Sequence, residues 1–227
     1  MNIHLLLFVS TTFFSTVSHA QDWASLRRYK KENTKLGLPL LGENRVVFMG
    51  DSITEAWSKA SPDFFNGKPF INRGISGQTT PQMLIRFRVD VTGLYPAVVV
   101  ILAGTYDILN RKDDALTPKM IMDNIMSMAE LATLYGIEVI LSSVLPVNDF
   151  ESSSGLETSE KILLLNSLIK SYAEKKNLLY LDYFSSMADE HNLLQAKYSD
   201  DGVHPNNSGY KIMENMVRET VSLALMK

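Results

Sequence analysis

The segment that most limits what this chain can fold into is Arg45–Glu55, RVVFMGDSITE. Val46 to Met49 are all apolar, and they run into Gly50-Asp51-Ser52 with a helix-compatible stretch behind them. A strand with no polar face belongs inside a parallel sheet covered on both sides. Such sheets present ligands beyond the carboxyl ends of their strands, and Ser52 stands at one of those ends. Gly50 predicts a sharp turn free of a Cβ penalty, and Ser52 falls where the next helix starts. From this segment alone, Ser52 reads equally well as a helix N-cap and as a nucleophile.

The far end of the chain separates the two readings. Tyr198–Tyr210 is YSDDGVHPNNSGY, a polar loop punctuated by Gly and Pro ahead of a helix, with Asp201 and His204 three residues apart. A serine hydroxyl needs a base to take its proton, and an imidazole base needs a carboxylate to fix its tautomer and stabilise its charged form. Asp201 and His204 supply both from one loop. The other histidine outside the first twenty residues, His191, lies in a Glu-His-Asn stretch that reads as a solvated helix end, so His204 is the better base.

Residues 1–20 hold an apolar core, Leu5 to Val9, and end Val17-Ser18-His19-Ala20. The run is too short to span a membrane, and the small residues Ser18 and Ala20 suit signal-peptidase cleavage. The expected organisation is a signal peptide, 1–20, and one domain, 21–227, delivered to the periplasm or secreted. With no cysteine the chain has neither disulfides nor thiolate metal sites, which fits that destination better than a eukaryotic secretory route. Residues 1–20 carry no Asp, Glu, Lys or Arg, so the mature net charge is the same −3 as the whole chain. That balance points to neither nucleic acid nor an anionic membrane as partner.

Five strands are expected. They are Val46–Met49, Pro69–Asn72, Ala97–Ala103 (the β-branched run AVVVILA), Ile137–Val144 and Leu178–Asp182. Helices are expected between them: from about Pro81, over Thr117–Tyr135, around Ile162–Tyr172 and over Gly209–Met226, with a short surface helix before the first strand. This alternation predicts an α/β fold, an open five-stranded parallel sheet doubly wound by helices. The loop Arg73–Thr80 carries two glycines before a helix and can aim backbone N–H groups at an anion. The loop after Pro146, with Ser152-Ser153-Ser154-Gly155, is a candidate substrate wall. No G-x-G-x-x-G or Walker sequence follows the first strand, which disfavours a flavodoxin-like cofactor binder.

Four blocks now resemble one family. Gly50-Asp51-Ser52-Ile53, Ser76-Gly77, Gly104-x-x-Asp107 and Asp201-Gly202-Val203-His204-Pro205-Asn206 match, in order, the signature blocks of the GDSL or SGNH hydrolases, esterases and lipases. The resemblance implies a flavodoxin-like three-layer α/β/α sandwich, Ser52 as nucleophile, His204 as base and Asp201 as its orienting acid. It also implies an oxyanion hole made by the backbone N–H groups of Ser52 and Gly77 and a side-chain amide from the third block. That block departs from the pattern, because Tyr106 stands where the family carries asparagine. One missing oxyanion donor costs ~10²–10³ in rate. Tyrosine can still donate, but its ring carries the hydroxyl several ångströms farther out, so the phenol either takes over as donor or fills acyl space.

The expected activity is therefore a serine esterase acting on short acyl groups, acetyl first, on a small-molecule ester such as an acylated carbohydrate. No cofactor or metal is called for. Arg73, Trp57 and Phe150 are candidate contacts for the alcohol side, with Asp51 beside the nucleophile. The alternatives are a lipid esterase of the lysophospholipase or platelet-activating-factor acetylhydrolase kind, and a weakly active or non-catalytic ester- or carbohydrate-binding protein that follows from Tyr106.

Overall fold

A computed structural model describes residues 22–110, 116–148 and 155–227. The expected signal peptide and the serine run 152–154 lie outside them. Five parallel strands, β1 Val46–Gly50, β2 Phe70–Gly74, β3 Val98–Leu102, β4 Glu138–Ser142 and β5 Leu179–Leu181, form one sheet in the order β2-β1-β3-β4-β5. Side-chain alternation divides the core into two layers. Val46, Phe48, Val98, Val100 and Leu102 face α2 (Ser52–Ala60), α3 (Pro62–Phe65) and α9 (Asn207–Ala224). Val47, Met49, Val99, Ile101 and Leu141 face α4 (Thr80–Asp90), α6 (Pro118–Leu134) and α7 (Gly155–Lys176). This is the three-layer, doubly wound architecture expected, and the strand order reverses between β1 and β3, the place where such sheets bind ligands.

Several boundaries differ from the sequence reading. β2 runs to Gly74, beyond Asn72, because Arg73 and Gly74 pair with Met49 and Gly50 of β1. α4 begins at Thr80, where Thr79 and Gln82 close a capping box over its free N–H groups. α1 (Lys30–Leu36) is the short surface helix expected before β1. Short helices α3, α5 (Thr105–Leu109) and α8 (Tyr183–Met187) fall outside the helices expected from the sequence. Gly50 is required for space and lies in extended strand: a Cβ there would sit 2.1 Å from Thr54 Oγ1 and 2.7 Å from the Leu102 carbonyl oxygen. The glycine thus lets α2 start directly on top of β1 and β3.

Candidate active site

At the carboxyl end of β1, Asp51 caps α2. Its Oδ1 accepts from the Ile53 N–H at 3.0 Å, which leaves Ser52 in the first turn of the helix. The N-cap reading of the serine therefore passes to its neighbour. Tyr210 of α9 donates its hydroxyl to the Ile53 carbonyl at 2.8 Å and fixes the same turn from another helix of that layer.

The 199–206 loop closes on itself before α9. Ser199 Oγ donates to the His204 carbonyl at 2.7 Å and accepts from the Gly202 N–H at 2.9 Å, while Asn206 caps α9 through the Ser208 and Gly209 N–H groups. The loop is tied to the segment that follows β4 by Asn148, whose N–H donates to the Gly202 carbonyl at 2.7 Å. Asp201 Oδ1 accepts from the Val203 and His204 N–H groups at 2.9 and 2.7 Å, and Oδ2 lies 2.7 Å from His204 Nδ1. His204 Nε2 lies 2.8 Å from Ser52 Oγ. Partial burial alone would raise the Asp201 carboxyl, but the His204 and Val203 N–H groups and the His204 ring outweigh it and hold the group at about 2. An ionised carboxylate only accepts, so Nδ1 carries the ring proton and Nε2 turns a lone pair to the serine hydroxyl. Ser52, His204 and Asp201, 152 residues apart at the extremes of the pairing, form one hydrogen-bonded row that can remove the serine proton.

The second and third blocks meet beside this row. Ile75–Gln78 is a tight turn, with the Gln78 N–H on the Ile75 carbonyl, and Gly77 occupies its third position at φ +75°, a conformation glycine takes without strain. Glu55 Oε2, three residues after Ser52, accepts the Ser76 N–H at 2.8 Å. Among the described residues, neither the Ser52 nor the Gly77 N–H has an acceptor. Tyr106, 38% exposed, lays the hydroxyl end of its ring over Gly77; a Cβ on that glycine would meet the ring and phenol oxygen at 3.7–3.9 Å. Asp107 turns inward and binds both the N–H and the hydroxyl of Thr80, so the third block anchors the start of α4.

A model of the GDSL-like lipase/acylhydrolase family matches residues 48–212. The chain belongs to that family. This acylhydrolase is 43% identical to a Bacteroides fragilis protein described as an acylhydrolase, over 90% of this chain and 99% of that one, with a TM-score of 0.86. A GDSL-like lipase from Bacteroides thetaiotaomicron is likewise 43% identical, over 88% and 98% of the two chains, with a TM-score of 0.83. An acetylxylan esterase from Geobacillus stearothermophilus shares the fold at 20% identity, over 78% of this chain and 94% of that one, with a TM-score of 0.64. No curated protein matches.

Three expected substrate contacts are corrected. Trp57 is 1% exposed, stacked on Phe64 and Tyr210, because it sits one helical turn from Ile53 on the face that α2 buries. Arg73 is 4% exposed; its guanidinium binds Asn33 Oδ1 and the Asn72 carbonyl and covers the Tyr29 ring, so it faces the amino-terminal segment. Asp51 is buried beneath the serine, where burial pushes its carboxyl up to about 6 against the opposing Ile53 N–H. Phe150 lies outside the described residues. Ser199 and Glu55 have no role in the sequence reading, the serine two positions before Asp201 being the available signal; Asn148 lies in the loop read as a substrate wall, and its N–H holds the 199–206 loop instead.

Proposed function

We propose that this acylhydrolase is a serine esterase removing short acyl groups, acetyl foremost, from a carbohydrate. Ser52 Oγ attacks the ester carbonyl carbon while His204 Nε2 takes its proton, and Asp201 stabilises the imidazolium. The oxyanion is received by the Ser52 and Gly77 N–H groups, with the Tyr106 phenol beside them in place of an amide. Collapse releases the alcohol, protonated by His204, and leaves an acyl group on Ser52; water, activated by the same imidazole, then frees the acid and the serine.

The observation that carries this reading is the continuous row from Ser52 through His204 to Asp201, with contacts of 2.8 and 2.7 Å. The carbohydrate is supported by the fold shared with the acetylxylan esterase, and export by the leader-like residues 1–20. A panel of p-nitrophenyl acetate, butyrate, octanoate and palmitate, run on wild type and Ser52→Ala, tests it. Ser52-dependent turnover highest on acetate supports the reading, and a maximum at octanoate or beyond would replace it with a lipid esterase. Tyr106 favours one second reading, a binding protein that has lost turnover, which requires a wild type inert on every ester yet binding acetylated sugars.

A further inference from the structure

β1 and β2 end side by side, Gly50 opposite Gly74, and the turns they feed carry Ser52 and Gly77. Two backbone donors on separate turns serve one oxyanion only if the turns keep a fixed spacing. One buried side chain spans both strand ends. Arg86 Nη2, on α4, donates to the Gly50 carbonyl at 3.1 Å and to the Arg73 carbonyl at 2.8 Å. The Gly50 carbonyl also accepts the Ile75 N–H, from the turn that holds Gly77. Arg86 Nε donates to Gln78 Oε1, directly after Gly77, and Nη1 donates to Asp90 Oδ2 at 3.1 Å.

The arrangement continues into the amino-terminal segment. Gln78 Nε2 donates to the Ala24 carbonyl at 2.9 Å, and Asp90 Oδ1 accepts from Asn33 Nδ2 at 2.7 Å. Tyr29 donates its hydroxyl to the Gly74 carbonyl. Arg86 and Asp90 are wholly buried and Gln78 nearly so. A buried ion pair contributes little net stability compared with apolar residues of like volume, such as the Met83 and Phe87 that flank Arg86 on α4. What the guanidinium supplies and an apolar side chain lacks is a planar fork that binds two carbonyls and an amide in fixed directions.

We infer that Arg86 and Gln78 are positioning residues that set the spacing between the Ser52 and Gly77 N–H groups and couple it to the docked segment 22–36. The inference rests on the esterase reading, since it concerns that reaction's oxyanion. Lysine at 86 keeps the charge and loses the fork. Methionine at 78 keeps the shape of glutamine and loses both bonds.

The test compares wild type, Arg86→Lys, Gln78→Met and Ser52→Ala on p-nitrophenyl acetate, with Tm recorded for each. Val217→Ala, in the α9 core on the opposite layer, serves as a destabilised control. Arg86→Lys is expected to lower kcat by about tenfold to 10²-fold with KM within about twofold, because displaced donors act on the transition state. Gln78→Met should lower kcat in the same direction and slow Ser52 labelling by a fluorophosphonate, whereas Val217→Ala loses Tm and keeps kcat. If Arg86→Lys does not fold, Gln78→Met decides alone. Ser52-dependent wild-type turnover with kcat unmoved in the folded variants overturns the inference and leaves the esterase reading standing. Turnover unaffected by Ser52→Ala overturns both.

Discussion

Asp51 gives a stability prediction whose sign and size follow from its surroundings. Its carboxyl is 1% exposed; Oδ1 holds the Ile53 N–H, and Oδ2 has no donor among the described residues. Burial raises its pKa from 3.8 to about 6. Below pH 4 both folded and unfolded chains hold the proton, and the group is neutral toward stability. Between pH 4 and 6 the unfolded chain releases the proton while the folded chain keeps it, so stability falls as pH rises, and above pH 6 the full penalty is present. Two units at about 1.36 kcal/mol each give roughly 3 kcal/mol. Asp51→Asn keeps an acceptor for Ile53 and cannot ionise. Its amide places new donors where Oδ2 was, a cost of about 1–3 kcal/mol if they stay unpaired, but that cost does not vary with pH. The stability of the variant relative to wild type should therefore climb by roughly 3 kcal/mol between pH 4 and 7.5, whatever its starting value. Urea unfolding at a series of pH values measures it, and the Asp201 contribution is common to both proteins and cancels. Parallel curves would refute the argument, showing that Asp51 ionises in the fold as easily as in water.

Other outcomes follow from the site. Tyr106→Phe should lower kcat on p-nitrophenyl acetate by ~10-fold or more with KM little moved if the phenol donates to the oxyanion, and Tyr106→Asn should then bring no gain; a rise of up to ~10² in Tyr106→Asn assigns the ring to a blocking role instead. Asp201→Asn should lower kcat by ~10³–10⁴, because an amide holds the wrong imidazole tautomer, and should also lower Tm at pH 7, since the carboxylate whose pKa the Val203 and His204 N–H groups depress is gone; a kcat loss under tenfold would remove Asp201 from the reaction. Protein recovered from its native host should begin at Gln21 by mass spectrometry, and an intact Met1 on soluble protein would rule out the leader reading.

What the sequence displayed was local grammar. The run Val46–Met49 has no polar face, and Asp201-x-x-His204 sits in one short loop, so the sheet and the residues of the Ser52–His204–Asp201 row were legible without coordinates. Trp57 lies four residues from Ile53 and so shares the buried face of α2, a phase that sends it into the core and away from substrate. Arg73 alternates with Asn72 along β2, and nothing in the chain's order reveals that Asn33 waits for it. Gly50 is needed because a Cβ there would meet Thr54 in the turn above and the Leu102 carbonyl, and the second of these exists only once β3 lies beside β1. Arg86 resembles its exposed neighbour Arg88 in sequence, and only the packing of α4 across the ends of two strands distinguishes them.

The central claim is that Ser52 is the nucleophile activated by His204. Treating wild type and His204→Ala with a fluorophosphonate, followed by peptide mass mapping, addresses it directly. The account predicts one adduct, on Ser52 in the peptide that follows β1, with labelling lost in His204→Ala while the fold persists. An adduct on another serine with Ser52 unmodified, or labelling of Ser52 at the wild-type rate without His204, would contradict it.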